Sequence, residues 1–301
     1  MIRCALPAGV TLEALVDQAV PKTARRGSWR TRAANHTVTM RSKKKLLLQG
    51  APTWGEVKEV YVRLQSGKCG YCEKYLETSE IRASTNVGAV EQDVEHYRPK
   101  GAVKPWTSGA TMGFPVRDGT PGGYYLLAFD LFNYCVACKT CNTAYKLDRF
   151  PIEGRPARKG SSVIGTINTA ERPLLLYPIS DLDDDPETCI GFVGYNPIAK
   201  AAAGRSQRRA LATVRFFDLD TRENLIRQRC EIIVSLYNAL MNSANPADAR
   251  RQADGDRDVE RLTSEKSHHA NCARSYRAMF LADANRAYTL YQEAQQVLVS
   301  N

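Results

Sequence analysis

The segments Lys68-Cys69-Gly70-Tyr71-Cys72, Asp93-Val94-Glu95-His96-Tyr97-Arg98-Pro99-Lys100 and Asn133-Tyr134-Cys135-Val136-Ala137-Cys138-Lys139-Thr140-Cys141-Asn142 organise the reading of the whole chain. Two CxxC pairs bracket an acid–histidine dipeptide and an asparagine, and a second asparagine follows the last cysteine. Two thiolates two residues apart can grip one ion from a tight turn, which Gly70 permits. Two such pairs supply the four sulfurs of a closed tetrahedral zinc site: Cys69, Cys72, Cys138 and Cys141. One CxxC alone would read equally as a redox pair. Cys135 also stands in CxxC spacing to Cys138, so a 135/138 register is the alternative. The pairs lie far apart, which makes the insert between them a functional subdomain or a long loop.

Between the pairs, Asp93 to Tyr97 reads as a short strand stopped by Pro99. Phosphodiester hydrolysis needs a base to deprotonate water and a cation to take up developing negative charge. His96 suits the first role, because its ordinary pKa is near neutrality. Glu95 suits the second as an oxygen ligand for a hard ion such as Mg²⁺ or Mn²⁺, with Asp93 as the alternative. Arg98, Lys100, Lys146 and Arg149 are candidate phosphate contacts, which would position a substrate without reading its sequence.

This pattern resembles the HNH (ββα-metal) endonuclease motif in a His-Asn-Asn form. The resemblance implies His96 as general base and Asn133 as the brace that holds it. Glu95 and Asn142 would ligate the catalytic divalent ion, with the zinc set apart. Two departures stand out: the acid is Glu rather than the commoner Asp, and the final position is Asn rather than His. Cys-Gly-Tyr-Cys-Glu (69–73), Val-Glu-His-Tyr-Arg-Pro-Lys (94–100), Cys-Asn-Thr-Ala-Tyr-Lys (141–146) and Phe150-Pro151 are further similar to the PtuB-like HNH family, as are Pro173 to Pro178, Asp185 to Glu187 and Thr213 to Leu219. That family accompanies Septu and retron antiphage systems. The likeness implies an SMC/ABC-type ATPase partner and nucleic acid as substrate, DNA favoured and RNA open. A non-catalytic, zinc-stabilised subunit that binds nucleic acid or a partner is the competing reading.

Composition agrees with a folded protein outside the membrane. The 301 residues are 43% hydrophobic and 25% charged, and no apolar run is long enough to span a bilayer. The first residues lack the apolar core of a signal peptide, so a cytoplasmic location is expected. Nine cysteines, an odd number, argue against a disulfide framework. Cys4, Cys135, Cys189, Cys230 and Cys272 read as small buried residues. The net charge of +10 is concentrated. No acid occurs between Asp17 and Glu56, while Lys22, Arg25, Arg26, Arg30, Arg32, Arg41, Lys43, Lys44 and Lys45 all do. Such a window fits a polyanion, or a solvated basic arm.

The expected fold class is α+β: a mostly helical chain with an embedded ββα-metal, zinc-stabilised nuclease core. Residues 1–52 read as a helix (10–20) and a basic arm, and 53–155 as the nuclease core. A Gly/Pro-rich insertion at 101–123 could be a substrate-facing flap carrying Trp106 and Arg117, or a neutral insert. Residues 156–204 read as an irregular connector with short strands, and 205–301 as a helical region. Thr53 with Glu56, and Asp220 with Glu223, have capping-box spacing. A helix is expected over Cys141 to Phe150, and one long last helix over Ser267 to Val299. The Asp181 to Asp185 cluster lacks the pattern of a calcium loop and reads as a solvated turn.

Overall fold

A computed structural model describes residues 1–20, 27–76, 92–245 and 247–300. Lys22, Arg25 and Arg26 of the basic segment, and the side chain of Asp93, lie outside the described residues. The fold is α+β, with mostly helices and three small two-stranded sheets among the described residues. The chain forms two compact units. One comprises Arg3–Tyr71 and Tyr75–Asp184; the other is Asp185–Asn301 with Met1–Ile2 and Cys72–Lys74. No helix among the described residues is long and apolar enough to cross a membrane.

In the first unit, α1 (Leu12–Ala19) begins where the Thr11 hydroxyl accepts from the Ala14 amide, and it buries Leu12 and Val16. The basic segment then departs from the expected arm. Trp29–Lys43 is a helix, α2, capped by Ser28 and buried through Trp29, Ala33 and Met40. Three anchors spaced over about three turns suffice to seat it, and mostly polar residues fill the remaining faces. The Thr53–Glu56 capping box forms as its spacing predicts, opening a 3₁₀ turn (Trp54–Val57) that runs into α3 (Lys58–Leu64). Ser66 and Gly67, both at positive φ, end that helix immediately before the first CxxC.

The centre of this unit is an antiparallel pair, β1 (Gln92–His96) and β3 (Tyr134–Cys138). Val94 faces Val136, Glu95 faces Cys135 and His96 faces Tyr134. A π-helix, Thr140–Lys146, follows β3 directly. It stops short of the expected Phe150 because Leu147 turns to positive φ while its amide closes on the Asn142 carbonyl at 2.7 Å. Between these elements, β2 (Arg117–Asp118) pairs with β4 (Pro151–Ile152). The insertion is folded rather than a loose flap. The Val103 amide meets the Pro121 carbonyl at 3.2 Å, and Trp106 is buried with its amide on Asp118. Gly123 (φ +70°) passes so near Gly101 that a Cβ would lie 1.8 Å from its carbonyl oxygen, so only glycine fits. Arg117 stays exposed. A further helix, α4 (Ile164–Glu171), occupies part of the stretch read as irregular.

Among the described residues, the second unit is a hairpin, β5 (Ile190–Val193) with β6 (Asn196–Ala199), preceded by a single helical turn (Pro186–Cys189) and followed by five longer helices. These are α5 (Gly204–Phe216), α6 (Glu223–Ser243), α7 (Ala249–Thr263), α8 (Ala270–Ala282) and α9 (Ala284–Val299). The expected last helix is divided at Asp283, whose extended backbone ends α8 and whose carboxylate caps α9 at the Arg286 amide. Arg222, not Asp220, is the N-cap of α6.

Candidate metal centre and hydrolytic cavity

Cys69, Cys72, Cys138 and Cys141 converge. Their sulfurs all lie within 4.8 Å of one another and all four residues are buried. Four thiolates about 2.3 Å from one tetrahedral ion would sit roughly 3.8 Å apart, so the set fits zinc in number, chemistry and spacing. None of the nine cysteines is in a disulfide. Cys135 is outside the set. It sits in β3 opposite Glu95, where burial pushes its thiol pKa up, which leaves 138/141 as the register.

The first CxxC turn is pressed onto β3 by a residue that motif reading passes over. Gln65, almost fully buried, donates to the carbonyls of Lys68 (2.8 Å) and Val136 (2.7 Å) and accepts from the Val136 amide (2.7 Å). The Gly70 amide adds a bond to the same Val136 carbonyl at 3.0 Å. A Cβ on Gly70 would lie 3.1 Å from Pro178 and 3.5 Å from Cys135, so the approach leaves little room for a side chain.

His96 ends β1 with its ring between two aromatic edges, Trp54 at 4.8 Å and Tyr134 at 5.1 Å. Its Nε2 lies 3.1 Å from the Ala128 carbonyl. A carbonyl only accepts, so Nε2 carries the hydrogen and Nδ1 keeps the lone pair. The Trp54 indole and the Tyr134 hydroxyl donate to the same carbonyl. Burial, reinforced by Lys100, lowers the His96 pKa to about 3 against the opposing Ala128 bond, so the ring is neutral across the physiological range.

Asn133 ties the strand end to the loop that offers that carbonyl. Its Oδ1 accepts from the Arg98 amide (2.8 Å), and its Nδ2 donates to the carbonyls of Arg98 (3.0 Å) and Leu127 (3.1 Å). The Tyr97 amide bonds its backbone oxygen at 2.8 Å.

A cavity of about 540 Å³ opens at this strand end, lined in part by Trp54, Lys58, Glu95, His96, Lys100, Asn142 and Asp148. Glu95, His96 and Asn142 are thus brought to one cavity. Asp148 is an acid that the motif does not mark, found only because the π-helix ends where it does. Glu95 is buried, and its Oε1 lies 3.2 Å from the ammonium of Lys146. Burial raises the Glu95 pKa to about 7 although Lys146 pulls it down, and burial lowers that of Lys146. Among the described residues, the four cysteines are the only gathered set of three or more Cys, His, Asp or Glu ligand atoms. Carboxylate and amide oxygens suit a hard divalent ion in kind.

Two of the four candidate phosphate contacts are interior. Arg98 is 1% exposed; it pairs with Glu171 at 3.4 Å, bonds Asn168 at 2.7 Å and stacks over Phe150. Lys146 is fully buried against Glu95. Neither is available to a phosphate, because each side chain neutralises an acid inside the fold. Their charge alone did not reveal the partners, Glu171 and Glu95. Lys100 lines the cavity with its ammonium 4.7 Å from the Trp54 ring centre. Arg149 is half-buried and donates to the Tyr145 carbonyl.

No family model matches the chain, and no solved structure matches it. Among curated proteins it is 33% identical over 136 residues to the Septu protein PtuB of Bacillus mycoides (strain KBAB4). The match covers 45% of this chain but only 38% of that protein's length. Over this stretch the chain is a homologue of a Septu PtuB protein, which bears out the likeness to the PtuB-like family carried by its motifs.

Proposed function

We propose that the chain is a zinc-stabilised HNH endonuclease that hydrolyses phosphodiester bonds of nucleic acid, DNA in the first instance, using Mg²⁺ or Mn²⁺. The observation that carries this reading is His96: a cavity-lining imidazole, fixed in one tautomer by the Ala128 carbonyl, with Glu95 and Asn142 on the same cavity. Nδ1 would take the proton of the attacking water. Neutrality of the ring at physiological pH keeps that lone pair open; burial is the main cause of its low basicity, and a phosphodiester opposite Lys100 would offset the smaller part that this cation adds. Glu95 and Asn142 would hold the divalent ion, which supplies charge stabilisation for the transition state and the leaving oxygen. Asn133 acts as a positioning residue. Lys100 and Arg149 are the phosphate contacts that remain. A zinc ion on the four cysteines would lock the β1–β3 pair to the π-helix and so set Asn142 against His96.

The Septu homologue motivates a role in antiphage defence; the family resemblance adds an ATPase partner, and the N-terminal sequence a cytoplasmic location. A non-catalytic binding subunit is favoured by one observation: Glu95 is already satisfied by Lys146. Plasmid nicking with Mg²⁺ or Mn²⁺, with and without the ATPase, separates the two readings. The wild type should nick, and a folded, zinc-loaded His96→Ala protein should not. Equal nicking by both refutes the assignment of the base.

A further inference from the structure

The cations of α2 fall into two sets. In its first half Arg30 pairs with Asp17 at 2.7 Å and Arg32 with Glu56 at 2.6 Å, so these charges serve the fold. At its end Arg41, Lys43, Lys44 and Lys45 are exposed, and among the described residues none forms an ion pair. Cations at a helix C-terminus complement its dipole, which accounts for one or two of them.

The second observation is where this end of the helix sits. The Arg41 guanidinium donates to the Ser162 hydroxyl at 3.0 Å, joining α2 to the loop that carries Arg155 and Arg158. Those two are also exposed and form no ion pair among the described residues. The loop is firmly held. The Arg155 amide bonds the Ala170 carbonyl (3.0 Å), the Ala157 amide bonds the buried Glu171 carboxylate (2.9 Å), and the Ser161 amide closes on the Arg158 carbonyl (3.0 Å). Two segments more than a hundred residues apart, each carrying unneutralised charge, are thereby joined at one contact.

We propose that Arg41, Lys43, Lys44, Lys45, Arg155 and Arg158 form a single sequence-independent docking surface for the backbone of nucleic acid, joined by the Arg41–Ser162 contact. The inference deepens the nuclease reading and rests on it for the choice of nucleic acid over an acidic protein. Uncompensated exposed charge on a rigid support suits a phosphate chain, whose counterions are released on contact. No feature of the patch reads bases.

The test uses the full chain with two variants, Lys43→Gln/Lys44→Gln/Lys45→Gln and Arg155→Gln/Arg158→Gln, and an exposed control on α7, Arg250→Gln/Arg251→Gln. Binding to fluorescent duplex DNA is read by anisotropy between about 50 and 200 mM salt. Each lost phosphate contact should make the slope of log K against log salt shallower by about 0.9, so up to about 2.7 for the triple variant and 1.8 for the double. Two duplexes of unrelated sequence should lose affinity equally, and the control should match the wild type. Unchanged slopes in both variants, or no salt-dependent binding by the wild type, overturn the proposal. Metal-dependent hydrolysis of bis(p-nitrophenyl) phosphate, too small to span the patch, is measured alongside. Its absence in the wild type with slopes that fall as stated sinks the nuclease reading and leaves the surface standing. Its retention with unchanged slopes sinks the surface alone.

Discussion

Replacing Asn133 by alanine tests how the histidine is held. The side chain is 1% exposed and makes three hydrogen bonds, to the Arg98 amide, the Arg98 carbonyl and the Leu127 carbonyl. Leu127 keeps a second partner, the Asp130 amide at 3.2 Å, so that loss is about 1 kcal/mol. The two Arg98 groups are left buried without this side chain, at roughly 1–3 kcal/mol each. The total is about 3–7 kcal/mol, against a stability of about 5–15 kcal/mol for a typical domain. The variant should stay folded at 25 °C but unfold at a urea concentration lower by about 1.5–3.5 M, taking a slope of about 2 kcal/mol per molar. Asn133→Asp keeps the bond to the Arg98 amide yet sets a carboxylate against two carbonyls, so it should be at least as damaging. Both should retain zinc, because the cysteine cluster does not touch this residue's bonds. A loss under about 1 kcal/mol for the alanine variant would refute the reasoning, and so would release of zinc at full folding.

Other expectations follow from single contacts. Cys141→Ser should reduce bound zinc, measured by atomic emission, and lower the melting temperature, whereas Cys135→Ser should leave zinc content unchanged. Gly70→Ala places a methyl 3.1 Å from Pro178 and 3.3 Å from Gln65, and should cost about 1–3 kcal/mol in urea unfolding with zinc still bound. In the metal-free state, a Glu95 carboxyl raised from 4.5 to about 7 holds its proton in the folded protein after the unfolded chain has released it. Its contribution to stability therefore falls as pH rises from about 4.5 to about 7, by on the order of 3 kcal/mol. Glu95→Gln should remove that part of the pH dependence, and identical profiles for the two proteins would count against it. Trp54→Phe removes one donor from the Ala128 carbonyl and should lower stability by about 1 kcal/mol.

The four-cysteine cluster was legible because its signal is chemical and local. Four thiols in two CxxC turns have few uses, and in the rival 135/138 register Cys135 and Cys138 stand three positions apart on β3, hence on opposite faces, which leaves Cys141 as the partner. The capping box at Thr53 and Glu56 was legible for the same reason. Arg98 and Lys146 were misjudged because a cation beside a motif looks the same whether it faces solvent or an acid. Their partners, Glu171 and Glu95, are distant in sequence. Helix α2 was hidden by composition: three buried residues among many polar ones carry almost no periodic signal. Gln65 and Asp148 belong to no motif, and only the folded chain brings one to β3 and the other to the cavity.

The central claim, that His96 drives phosphodiester hydrolysis, is tested most directly by single-turnover cleavage of labelled duplex DNA with Mg²⁺ or Mn²⁺. Wild type is compared with His96→Ala in the presence of the ATPase partner. General base catalysis is worth about 10²–10⁴-fold, so the variant should slow by that factor and recover in part when imidazole is added. Cleavage at the wild-type rate by the zinc-loaded variant, or none by the wild type with either ion, would contradict it.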